Sequence, residues 1–98
     1  MFVILWEFHP APDRDADFQA AYGADGPWAK LFRRHPGFVG TELLHDADNA
    51  RRYLTLDRWE SAEAYEKFRA TGWADYEALD TECARLTVHE ARIGSFNI

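Results

Sequence analysis

The stretch YLTLDRWESAEAYEKF, residues 53–68, changes its period halfway along. From Tyr53 to Trp59 the side chains alternate. Tyr53, Thr55, Asp57 and Trp59 take one side and Leu54 and Leu56 the other, which is the period of a strand. Ser61 then supplies a cap, Glu63 places an anion in the first turn, and Ala64, Tyr65 and Phe68 mark one face of a helix. A strand runs directly into a capped helix. Thr71-Gly72 breaks that helix, and Trp73, Tyr76, Leu79, Cys83 and Leu86 predict another behind it.

Working outward, FVGTELLH (38–45) reads as a strand, and the polar Asp46-Ala47-Asp48-Asn49 turn joins it to RYLTLDRW (52–59) as a hairpin. FVILWEFH (2–9) is a β-branched and aromatic first strand stopped by Pro10 and Pro12. Residues 14–34 predict a helix in two pieces. Phe18, Ala21 and Tyr22 lie on the first and Trp28, Leu31 and Phe32 on the second, with Asp25-Gly26-Pro27 between them. TVHEARIGSF (87–96) closes the chain as a fourth strand. The order strand, helix, strand, strand, helix, strand predicts an α+β, ferredoxin-like βαββαβ fold. Its four-stranded antiparallel sheet carries helices on one face and forms one domain over residues 1–98.

That architecture leaves a face without cover. Val3 and Leu5 oppose Ile4 and Trp6 on the first strand, and Leu54 and Leu56 oppose Tyr53 and Trp59 on the third. The helices reach one side only, so the other is expected to pack against a second copy of the sheet in a homodimer.

Composition excludes several classes of function. Eleven Lys and Arg against 17 Asp and Glu leave a net charge of −6, so neither nucleic acid nor an anionic membrane surface is an expected partner. No run approaches the roughly 18 apolar residues of a membrane span. Phe2-Val3-Ile4-Leu5-Trp6 has no basic stretch before it and ends at Glu7, so it reads as a strand and not a signal peptide. The single Cys excludes an internal disulfide and fits a reducing, cytoplasmic setting. Cys83 falls on a helix stripe and reads as a small core residue. Four histidines are present, none paired at helical spacing with another ligand. They read as hydrogen-bonding groups and no metal is expected, the one cross-strand alternative being Glu7 and His9 with His89. There is no glycine-rich phosphate loop, G-x-S-x-G, H-E-x-x-H or C-x-x-C.

What stands out is ring surface. Four Trp, four Tyr and seven Phe make the chain 15% aromatic, more than a core of this size needs. The polar and aromatic strand face of Tyr53, Thr55, Asp57 and Trp59 looks toward the helices, where Tyr65 projects back. Two readings follow: a core plugged by Trp59, or a pocket rimmed by Trp59, Tyr65, Tyr22, Trp28 and Trp6, with Tyr53 and Thr55 on its floor.

Three segments, WEFHPAPDRDADF (6–18), HPGFVGTELLHD (35–46) and RYLTLDRWESAEAYEKF (52–68), resemble the antibiotic biosynthesis monooxygenase domain family, whose members are dimeric α+β barrels. Its heme-degrading branch uses a strand-one Asn, a strand-three Trp and a helical His. Trp59 is similar to that Trp, but Trp6 stands at the Asn position and no His lies between Ser61 and Leu86. The quinol and anthrone branch matches at Trp59 and Tyr65, with a later Arg that is Arg85 or Arg92, and Thr55 replaces its strand-three Asn. The resemblance implies a cofactor-independent monooxygenase acting with dioxygen on a small quinol- or anthrone-like aromatic. In that role Trp59 and Tyr65 donate hydrogen bonds, Asp57 or else His89 accepts a proton, and Arg85 or Arg92 holds an anionic oxygen. No heme, flavin or metal is expected. The alternative is a non-catalytic, ligand-binding or structural homodimer of the same fold.

Overall fold

The computed structural model describes all 98 residues. The elements follow the predicted order: β1 (Phe2–Pro10), α1 (Asp15–Tyr22), α2 (Pro27–Arg33), β2 (Phe38–His45), β3 (Tyr53–Trp59), α3 (Ala62–Thr71), α4 (Trp73–Cys83), a 3-10 turn over Ala84–Leu86, and β4 (Thr87–Asn97). The strands form one antiparallel sheet in the order β2-β3-β1-β4. This is the α+β, ferredoxin-like arrangement. No helix is long and apolar enough to cross a membrane.

Local chemistry sets the breaks. Pro27 opens α2 after an extended Gly26, where its missing N–H removes only a donor the helix would leave unpaired. The Ser61 hydroxyl accepts from the Ala64 amide at 3.1 Å and starts α3. Gly37 enters β2 at φ +94°, and a Cβ there would stand 2.4 Å from that of Ala64, so glycine alone lets this turn lie against α3. β1 runs one residue past its expected end. Pro10 pairs with Thr87 beyond an irregularity in the ladder, a strand end where proline is tolerated.

The core lies between the sheet and the helices. Ile4 and Phe8 of β1 meet Phe18 and Tyr22 of α1, Leu31 and Phe32 of α2, and Phe68 of α3. Every helix-facing residue of β3 is buried and every residue between them half-buried. The opposite face is sparsely covered. Leu5, Leu54 and Leu56 are half-buried, while Leu44 and Phe96 are 40% and 47% exposed. Val3 differs from the expectation. It is only 3% exposed, lying between its register partners Arg58 and Phe96, so one chain already covers it.

Candidate functional site

The rings that rim the expected pocket do come together. β1 and β3 run side by side with Ile4 opposite Asp57, Trp6 opposite Thr55 and Phe2 opposite Trp59. Their helix-facing side chains form the floor of a cleft. Tyr22, Trp28, Tyr65, Phe68 and Tyr76 wall it, around about 600 Å³ of empty space measured out to an open mouth. The inner part is narrow, with room for a few water molecules. Tyr65 stands 5.8 Å from Trp59 and 5.9 Å from Phe2, ring centre to ring centre. Tyr76 meets Trp28 edge-on at 5.0 Å.

The polar group at the bottom is Asp57. It is 9% exposed, and it accepts one hydrogen bond, from the Thr41 hydroxyl at 2.5 Å. Thr41 is its direct neighbour across the β2–β3 ladder. Burial disfavours the carboxylate and pushes the Asp57 pKa up to about 6, with the Thr41 bond opposing the shift. The same loss of water raises Tyr65, and it pushes Tyr76 up to about 12, so both phenols stay protonated donors at neutral pH. Asp80 and Glu90 add two more carboxylates to the lining; Glu90 is raised, first by burial and then by Asp80. The lining is therefore acidic and holds no Lys or Arg.

One donor in this wall is unspent. The Trp28 indole N–H is buried without a hydrogen-bond partner. The polar groups beside it are the Tyr22 hydroxyl and the Cys83 thiol, both pushed up by burial and each held a little lower by the indole N–H.

Not every expected residue reaches the site. Tyr53 is held elsewhere: its ring stacks on His45 at 4.1 Å, Phe18 lies 5.0 Å away, and its hydroxyl accepts from Gln19 at 2.8 Å. It is core at the far end of β3, because two more residues along a strand carry a side chain about 7 Å from Thr55. Arg85 sits exposed on the 3-10 turn and does not line the cleft. Of the two arginines, Arg92 is the nearer. It is paired with Trp6 across β1 and β4, and its charge acts on Tyr65. His89 turns to the open face, where it bonds Glu7 at 2.9 Å, and so cannot serve Asp57. Thr41, Tyr76 and Asp80 were not singled out as site residues. Tyr76 and Asp80 lie four apart on α4, a spacing that puts both on one helix face, but no pattern in β2 pairs Thr41 with Asp57.

The arrangement has the parts for chemistry on a flat, weakly acidic ligand. It offers aromatic walls, two unionised donors in Tyr65 and Tyr76, and a buried carboxylate poised to take a proton near neutral pH.

The family model for antibiotic biosynthesis monooxygenases matches residues 1–75. Among solved structures, SnoaB from Streptomyces nogalater, a cofactor-independent oxygenase, is similar with a TM-score of 0.74 at 22% identity, over 99% of this chain and 91% of that one. A Bordetella bronchiseptica protein provisionally assigned as an antibiotic biosynthesis monooxygenase gives 0.74 at 20% identity, over 99% and 95%. PA3566 from Pseudomonas aeruginosa gives 0.68 at 12% identity, over 99% and 92%. At these identities the likeness is one of fold. No curated protein sequence matches the chain. With residues 1–75 of its 98 matched by the family model, the chain belongs to the antibiotic biosynthesis monooxygenase family.

Proposed function

We propose that this protein is a cofactor-independent monooxygenase that oxidises a quinol- or anthrone-like aromatic in the cleft, with Asp57 as the proton acceptor. The observation that carries this reading is a buried carboxylate of raised pKa, and so of raised basicity, at the bottom of an aromatic cleft. Family membership supports oxygenase chemistry, and the fold is shared with SnoaB, itself a cofactor-independent oxygenase.

The substrate enters as a neutral phenol or enol, since the acidic lining repels an anion. Asp57 removes the hydroxyl proton, and the donors on Tyr65 and Tyr76 stabilise the oxyanion as it forms. The electron-rich anion passes one electron to dioxygen, and the substrate radical and superoxide combine at carbon. Asp57 returns its proton to the peroxide anion, and the hydroperoxide then loses water to leave a carbonyl. One oxygen atom enters the product and the other leaves as water, with all four electrons supplied by the substrate. Excluding bulk water protects the radical pair and strengthens each hydrogen bond. Trp59 braces Tyr65 and shapes the floor, while Trp6, Tyr22 and Thr55 complete the surface that receives the ring.

Oxygen uptake with a panel of hydroquinones and anthrones, with and without a chelator, tests the reading. Saturable uptake of one dioxygen per quinone formed is the expected result. Tight binding of the same compounds without turnover would replace the enzyme with a ligand-binding protein. Tyr65→Phe is expected to unfold within about 0.5 kcal/mol of the parent, since no protein acceptor holds its hydroxyl, yet to lower turnover about 10²-fold, the scale of one lost transition-state donor. An unchanged rate would remove Tyr65 from the chemistry.

The same proposal includes a homodimer joined through the open sheet face. Leu5, Leu44, Leu54, Leu56 and Phe96 supply the apolar surface, and covering it gains about 25 cal/mol per Å² before association costs. Sedimentation velocity at micromolar concentration is expected to give twice the chain mass, and Leu56→Arg to give a folded monomer. A parent chain that sediments as a monomer at that concentration refutes the interface.

A further inference from the structure

The side of the sheet turned away from the cleft carries a second cluster of reactive groups. Strand pairing sets His9 directly opposite His89 across β1 and β4, and Glu7 lies two residues back on the same face of β1. The two imidazoles stand 4.6 Å apart between ring centres. One ligand atom from each of Glu7, His9 and His89 lies within 4.8 Å of the others. We propose that Glu7, His9 and His89 form a binding site for a divalent transition-metal ion on the open face of the sheet.

Three features support the assignment. The donor set is two imidazoles and one carboxylate, which suits zinc, cobalt, nickel or copper and not magnesium or calcium, ions that prefer oxygen ligands throughout. The carboxylate is already oriented. Arg52 donates to Oε2 of Glu7 at 2.6 Å and is itself held by Asp46 at 3.1 Å. Oε1 is thereby left facing His89 Nε2 at 2.9 Å. An outer partner that fixes a ligand in this way is the usual support of a metal site. Finally, the donors are close enough to converge. Metal–ligand bonds of about 2.0–2.2 Å put tetrahedral ligand atoms roughly 3.4 Å apart. Closing from 4.8 Å needs only small side-chain rotations, and His89, 43% exposed on the edge strand β4, leaves an ion a way in from the rim of the proposed dimer interface.

The ion takes the place of the hydrogen bond between His89 Nε2 and Glu7 Oε1. Glu7, Asp46 and Arg52 together face the site with a net charge of −1, which favours a cation. Three protein ligands leave a fourth position for water. The sheet separates this site from Asp57, so it bears on stability and not on the oxidation proposed for the cleft.

Titration of the untagged full-length chain with cobalt(II), followed by visible absorption, and with zinc(II), followed by calorimetry, tests the site. One ion per chain is expected, with visible cobalt bands of a four- or five-coordinate centre and a rise in the thermal midpoint. His89→Ala, at an exposed position that leaves folding intact, is expected to weaken binding at least about 10-fold and abolish the bands. Glu7→Gln is expected to do likewise, and His45→Ala on β2 to change neither. Absence of saturable binding, or cobalt spectra unaltered by both His89→Ala and Glu7→Gln, would overturn the assignment.

Discussion

Asp57→Asn is expected to slow turnover by about 10²–10⁴-fold, the range for losing a positioned general base, and to make the same protein more stable at pH 8. The second half of this result follows from the sign of the acidity shift. Asp57 titrates near 3.8 in an unfolded chain and near 6 in the folded one, so the folded state holds the proton more tightly. The stability this contributes is complete below about pH 4 and is lost as pH rises through 6. Above that, the folded protein carries a buried carboxylate that costs about 3 kcal/mol, the gap between 3.8 and about 6 at 1.36 kcal/mol per pH unit. Asparagine removes the charge and can keep the bond to Thr41. Urea unfolding at pH 8 and pH 4 checks it: the variant should gain about 3 kcal/mol at the higher pH and nothing at the lower. In the parent, kcat/KM should rise through about pH 6 as Asp57 becomes the base. A variant no more stable than its parent at pH 8 would mean that Asp57 is not desolvated. A destabilising charge kept at the bottom of a cleft is the pattern of a site that trades stability for function.

Trp59→Ala should produce the largest loss of stability, about 3–5 kcal/mol. Trp59 is 1% exposed and wedged among four rings, with Phe38 at 5.2 Å, Phe68 at 5.4 Å, Tyr65 at 5.8 Å and Phe32 at 5.9 Å. It therefore locks the end of β3 to α2 and α3 together. Since small domains are stable by only about 5–15 kcal/mol, a measurable fraction of this variant should be unfolded at 37 °C. Trp59→Phe should lose less and keep the fold, so its turnover reports what the indole contributes to the cleft. Urea unfolding of both gives the comparison, and a loss under about 1 kcal/mol for Trp59→Ala would show that the corner is held by other rings. The two readings of Trp59 met in the sequence, core plug and cleft residue, are compatible in this geometry, because the plug is also the floor.

Trp6, Tyr22, Trp28, Thr55, Asp57, Trp59 and Tyr65 line one cleft, and their meeting was legible because alternation and helical spacing say which way each side chain points. Tyr53 shares their strand face, and the sequence does not say where along that face a cleft ends. Arg85 failed for a related reason. It falls where α4 tightens into a 3-10 turn, and side-chain direction there departs from the helical repeat.

The element order, the capped start of α3, the break at Gly72 and the two-faced character of the sheet were all determined by the sequence, since each depends on neighbours within a few residues. The tertiary structure alone decided which residues from distant segments touch. Thr41 came to Asp57 through the β2–β3 register, and His9 came to His89, 80 positions later, through the β1–β4 register. The acidity of Asp57 and the unpartnered N–H of Trp28 belong to the same class. They arise from the removal of water by groups far apart in the chain, and a side chain's loss of water is a property of the assembled cleft.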